Sequence, residues 1–130
     1  MNETEKKIAV IGKDLPISAK HAAAIFAALK DKQIDEAIDM LEKVQQKKLA
    51  IPFKGEIPHR RGMASGRYPV KVARAFIKLL HRLSAAASKS GFETEKLKIT
   101  AMASRAARRL RAGGRRRRHF KRSHVVITIK

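Results

Sequence analysis

The sequence predicts an α+β fold, and three observations carry that expectation. Two short apolar runs, Ile8-Ala9-Val10-Ile11 and Val125-Val126-Ile127-Thr128-Ile129, read as strands near the two ends of the chain. Three segments between them space their apolar residues at helical intervals. The third observation is a stretch from 105 to 122 with ten Lys or Arg in eighteen residues and no acid. A basic tail would simply end, whereas this stretch leads into a strand. It is therefore expected to protrude from a folded body while tethered at both ends.

The elements follow in order. Gly12 closes the first strand, and Pro16-Ile17-Ser18 opens a helix. Ser18 is the expected N-cap, its side-chain oxygen accepting an otherwise unpaired backbone N–H. Ala22, Ile25, Phe26 and Leu29 form that helix's buried stripe. A second helix is expected from about Gln33 to Lys47, with Ile34, Ala37, Ile38, Leu41 and Val44 facing inward. Asp35, Glu36, Asp39 and Glu42 take its solvent side, so it is the part least suited to touch phosphate. Residues 49–68 read as a loop, because Pro52 and Pro58 oppose regular structure.

Pro69 suits the first turn of a third helix, where its missing N–H costs nothing. That helix is expected to reach Ser90, with Gly91 just past its end. Val72, Phe76, Ile77, Leu79, Leu80 and Leu83 supply its core face, and Lys71, Arg74, Lys78 and Arg82 step along the other. Leu97-Lys98-Ile99-Thr100 begins a further strand, and the last runs from His124 to Ile129. Gly113-Gly114 is the expected reversal point of the basic segment between them. Two extended arms of ~12 residues would reach roughly 40 Å at ~3.3 Å per residue. Residues 104–110 are equally good helix material by propensity, so strand and helix both stay open there.

At 130 residues the chain suits one domain, with a body at about 1–98 and 123–130 and an extended arm at about 99–122. The formal net charge is +20, a field that attracts polyanions, nucleic acid above all. The charge is lopsided. Residues 1–52 hold nine Lys against eight acids, whereas residues 53–130 hold twenty-two Lys or Arg against three. Without cysteine there is neither a disulfide framework nor a thiolate zinc site. No run reaches the ~18–20 apolar residues of a membrane span, and no signal peptide is evident, so a soluble intracellular protein is expected.

No catalytic constellation stands out. Histidines 21, 59, 81, 119 and 124 lack metal-ligand spacing, and Gly12-Lys13 lacks the remaining glycines of a phosphate loop. Neither a metal, a cofactor, a small-molecule substrate nor an enzymatic activity is expected. The candidate phosphate-binding residues are Lys54, Arg60, Arg61 and Arg67 in the loop and Lys71, Arg74 and Lys78 on the third helix. In the arm they are Arg105, Arg108, Arg109, Arg111, Arg115, Arg116, Arg117, Arg118, His119, Lys121 and Arg122. Arginine dominates the arm, and its planar fork contacts phosphate bidentately and stacks on unpaired bases. Phe120 is the one aromatic residue there, which argues against a platform that reads single strands. Alanines 101, 103, 106, 107 and 112 keep the arm thin enough to thread between RNA helices.

Several segments resemble the large-subunit ribosomal protein family called universal L twenty-two (L seventeen in eukaryotes), in its archaeal or eukaryotic form. They are Gly12-Lys13-Asp14-Leu15-Pro16-Ile17-Ser18, Asp35-Glu36-Ala37-Ile38, Ile51-Pro52-Phe53-Lys54, Gly66-Arg67-Tyr68-Pro69-Val70-Lys71-Val72-Ala73 and Ser123-His124-Val125-Val126. Their order is right and they span nearly the whole chain. The resemblance implies three helices packed on a small three-stranded antiparallel sheet with a long protruding β-hairpin. It also implies binding to large-subunit ribosomal RNA, help in its assembly, and a hairpin that lines the polypeptide exit tunnel. The tunnel tip would comprise Arg111, Ala112, Gly113, Gly114 and Arg115, within a loop extending to Arg118. The implied partners are ribosomal RNA, neighbouring large-subunit proteins and, transiently, the nascent polypeptide, on cytoplasmic ribosomes. This chain departs from the family pattern in a shorter loop without proline and in four consecutive arginines at 115–118.

Two other readings share the charge. A DNA-compacting, chromatin-like protein would more often place it in open tails or a recognition helix. An RNA-processing enzyme would need a general acid–base pair that the chain does not offer. Residues 115–122 would also suit a nuclear localisation signal.

Overall fold

The computed structural model describes residues 7–54, 57–106, 110–111 and 119–130. Strand β1 (Ile8–Leu15) leads to helix α1 (Ala19–Leu29) and helix α2 (Ile34–Gln45). Two short strands, β2 (Ile51–Pro52) and β3 (Gly66–Arg67), precede the long helix α3 (Val70–Lys89). Strand β4 (Ile99–Ala106), the two-residue strands β5 (Leu110–Arg111) and β6 (His119–Phe120), and β7 (Ser123–Ile129) complete the order.

The main sheet has the order β1-β7-β4, with both pairings antiparallel. Its central strand alternates strictly, burying Ser123, Val125, Ile127 and Ile129 while His124, Val126 and Thr128 stay half-buried. That is the period-2 pattern of a sheet covered on one face. Helix α3 packs on β1 and α1 on β4, and α2 packs on α3. Ile25, Leu29, Leu41, Phe76, Leu80, Ile99 and Ile127 meet in one core with at most 1% exposure. The three helices, the small antiparallel sheet and the α+β class are as expected.

The differences are local. β1 does not stop at Gly12 but continues to Leu15 through a bulge, since Gly12 pairs with Val125 and Leu15 with Ser123. One extra residue is accommodated there, and Asp14 takes the left-handed conformation at φ 52. A Cβ on Gly12 would lie 2.8 Å from Leu15 Cδ1 and 3.1 Å from Leu79 Cδ2, so a larger residue there would need those side-chain ends to shift. Ser18 sits at the N-cap position, but its side chain makes no capping hydrogen bond. Pro69 is the N-cap of α3 rather than its first residue, and Gly91 follows the Ser90 C-cap at φ 78. Phe26, Ile38 and Ile77 lie at the rim of the core rather than inside it.

The 49–68 segment is not wholly irregular. Ile51 pairs with Arg67 and Pro52 with Gly66, and the Phe53 N–H donates to Ser65 O at 3.0 Å. Proline is tolerated because this two-residue ladder asks little of its missing donor. Between 104 and 110 the open choice resolves in part, for β4 extends through Ala106. Beyond it, Leu110 pairs with Phe120 and Arg111 with His119. These antiparallel pairings set residues 110–111 beside residues 119–120. The proposed reversal at Gly113-Gly114 lies outside the described residues.

Candidate nucleic-acid interface

Helix α3 presents Lys71, Arg74, Lys78 and Arg82 on its solvent face, all four exposed. They follow from the helical period: the same turn that buries Val72, Phe76, Leu79 and Leu83 turns these four away. With Leu15, Pro16 and Ile17 they border a groove of about 410 Å³ along the end of β1. Lys54, Arg60 and Arg61 are exposed on the loop. The acidic residues Asp35, Glu36, Asp39 and Glu42 are exposed too, on α2, which contributes none of the candidate cations.

The arm's second root is fastened to the body. Ser123 Oγ, buried, donates to Ile17 O at 2.8 Å. The bulge of β1 holds the neighbouring residues, with Asp14 N–H donating to His124 Nδ1 at 3.2 Å and Arg122 Nη1 donating to Asp14 O at 3.4 Å. Arg122 Nε is buried and has no hydrogen-bond partner among the described residues. Arg122 and exposed Lys121 join Lys71 in lining a second groove, walled by residues 16–18, His21 and residues 68–72.

Arg67 goes elsewhere than expected of a surface cation. It is only 9% exposed, and its guanidinium turns into the loop. Nη1 donates to Gly66 O at 2.7 Å and to Ala64 O at 3.4 Å, and Nη2 donates to Pro58 O. Three of its hydrogen bonds thus go to shaping the loop. Replacing Arg67 by Ala should lower stability by about 1–3 kcal/mol, since paired carbonyls lose their donor. Lysine, lacking the planar fork, should restore little of that in urea denaturation.

A third cleft, of about 330 Å³, lies beside this loop, lined by Lys20, His21, Phe53, residues 57–58, Arg60 and residues 67–69. The His21 and Phe53 rings stand 5.2 Å apart, tilted by 44°. Burial lowers the His21 imidazole below its ordinary pKa of 6.5, and the Lys121 and Lys20 charges lower it further. It is neutral at pH 7. Because the folded protein takes this proton less readily, stability should decline as pH falls from 6.5 through the folded value. In an NMR titration, Lys121→Gln should raise the His21 pKa without returning it fully, since burial is the larger cause.

This cleft was not legible in the sequence, because its parts come from α1, β2's end and the turn into α3. The runs Ile51-Pro52-Phe53-Lys54 and Gly66-Arg67-Tyr68-Pro69, with Arg60 between them, were the signals pointing near it. Of the arm's candidates, Arg105 lies in β4, Arg111 in β5 and His119 in β6. Arg108, Arg109 and residues 112–118, including the tip residues Ala112, Gly113, Gly114 and Arg115, lie outside the described residues. Among the described residues no group of His, Cys, Asp or Glu could hold a metal ion, and no helix is long and apolar enough to cross a membrane.

Fold and surface together define a class: an α+β body with cationic grooves, whose adjacent strands β4 and β7 lead into a short antiparallel pair, β5 and β6, within an Arg-rich segment. Residues 10–130 match the family model described as ribosomal protein L22p/L17e, and the chain belongs to that family. The large ribosomal subunit protein uL22 of Archaeoglobus fulgidus is 43% identical over 104 residues, covering 75% of this chain and 67% of that protein. Its counterpart in Staphylothermus marinus is 36% identical over 132 residues, covering 90% of this chain and 84% of that one. The Aeropyrum pernix uL22 is 35% identical over 144 residues, covering 99% and 92%. That alignment is longer than the 130-residue chain, so the Aeropyrum protein carries residues that this one lacks.

Proposed function

We propose that this chain is a structural constituent of the large ribosomal subunit, bound to its ribosomal RNA. The observation that carries the reading is the arrangement of cations. Lys54, Arg60 and Arg61 on the loop, Lys71, Arg74 and Lys78 on α3, and Lys121 and Arg122 at the arm's root all stand on the body. Arg105, Arg108, Arg109, Arg111, Arg115 to Arg118 and His119 extend the same charge along the arm. A body that docks by phosphate contacts and an arm that threads between RNA helices would neutralise and join RNA segments during assembly. Arg67 serves this surface indirectly, by holding the loop that displays Arg60 and Arg61.

In this reading the arm is the segment beyond the body's sheet, and its tip lines the polypeptide exit tunnel. There it borders neighbouring large-subunit proteins and, transiently, the nascent chain. The role is architectural, without a catalytic step, and its place is the ribosome in the cytoplasm. Fractionation of cell extract tests it. The protein should co-sediment with large subunits at moderate salt and leave them only at high salt. Recovery in the free-protein fraction at moderate salt would refute the assignment.

A further inference from the structure

We infer that the cleft walled by His21, Phe53 and Tyr68 receives a single unstacked RNA base. This deepens the RNA-binding reading and rests on it. Phe53 and Tyr68 are two of only six aromatic residues in the chain, and the fold brings them to one opening with an imidazole between elements. Ile57, Pro58 and Pro69 add apolar surface to the walls, beside the cations Lys20, Arg60 and Arg67. A volume of about 330 Å³ falls at the small end of the ~300–1,000 Å³ typical of ligand sites.

Several details favour a base over a bare phosphate. Of the two guanidinium groups that line the cleft, that of buried Arg67 is engaged by three backbone carbonyls and offers no free fork. The remaining cations stand at the mouth: Lys20 and Arg60 are exposed there. His21, Tyr68 and Pro69 are shared with the neighbouring groove, which Lys71, Lys121 and Arg122 line. Apolar and π surfaces inside with cations on two sides match a nucleotide whose base is inserted while its flanking phosphates run past. A neutral His21 presents one ring donor and one acceptor to a base edge.

The test uses the full chain and two short single-stranded RNAs of equal charge. One carries abasic riboses throughout, and the other carries a single central adenine. Base stacking is worth ~1–3 kcal/mol, so the adenine strand should bind at least about fivefold tighter at low salt. Phe53→Leu keeps the apolar packing but removes the π face, and should bring that ratio close to one. His21→Ala, at the rim, should reduce it by a smaller factor. Equal binding of the two strands by the wild type would overturn the cleft while leaving phosphate-driven RNA binding intact. A preference that survives both substitutions would overturn it as well, by putting the base elsewhere. If neither strand bound at low salt while folded large-subunit RNA did, the cleft alone would fall; if the folded RNA failed as well, the RNA-binding reading would fall with it.

Discussion

Binding to large-subunit RNA should weaken by about 10³–10⁵-fold between ~50 and ~200 mM salt, the loss expected for 6–10 phosphate contacts. Each phosphate that the chain neutralises releases counterions, and added salt removes that entropic gain. Excising the arm separates its share from the body's. The cut must respect the sheet, because the β4–β7 ladder runs to Ala106 paired with Ser123. Replacing residues 107–120 by a short glycine linker removes seven arginines but leaves Lys121, Arg122 and every anchoring hydrogen bond described above. The slope of log affinity against log salt should then flatten by roughly five to six, at ~0.7–0.9 for each phosphate no longer neutralised. Circular dichroism should show the same helix content and cooperative melting. An excised protein that unfolds, or one whose salt slope is unchanged, would contradict an arm that is separate from the body and engaged with RNA.

The second large effect concerns the core. Phe76 is 1% exposed in the first half of α3 and is the largest fully buried side chain among the described residues. Phe76→Ala removes a buried ring and leaves a cavity, and should cost about 3–5 kcal/mol. Set against the ~5–15 kcal/mol of a typical domain, that places the variant near its unfolding limit. Urea denaturation should show a lower midpoint with an unchanged slope. The substitution alters no charge. Its apparent RNA affinity should therefore fall only in proportion to the folded fraction, a contrast with the arm excision, which alters affinity at constant stability.

The helices were legible because each has one job. Val72, Phe76, Leu79, Leu80 and Leu83 repeat at the helical period, and the period alone separates them from Lys71, Arg74, Lys78 and Arg82. Strands β1 and β7 were legible as apolar runs, and the start of β4 from Leu97-Lys98-Ile99-Thr100. What periodicity could not reveal depends on non-local contacts. Gly12 looked like the end of a strand, yet the ladder runs on past it to Leu15 opposite Ser123, with the side chain of Leu79, far along the chain, close beside it. Arg67 looked like its neighbours Arg60 and Arg61. Only the folded loop shows that its guanidinium serves backbone carbonyls. Composition likewise argued against base stacking, since aromatic residues are few in the arm. Phe53 and Tyr68 meet His21 only through tertiary structure, and scarcity along the sequence is a poor guide to concentration in space.

The order of the main sheet sets a rule for how the molecule comes into being. β1 and β4 are both zipped to β7, the last of the described strands to be made. Until residues 123–129 are available, the first strand has no neighbour in that sheet and the ascending limb of the hairpin has nothing to run beside. The helices can gather earlier, but the platform beneath them closes in one late event that also draws the hairpin's two roots together. A ribosome-stalled chain lacking that final segment should therefore be helical and protease-sensitive at both orphan strands.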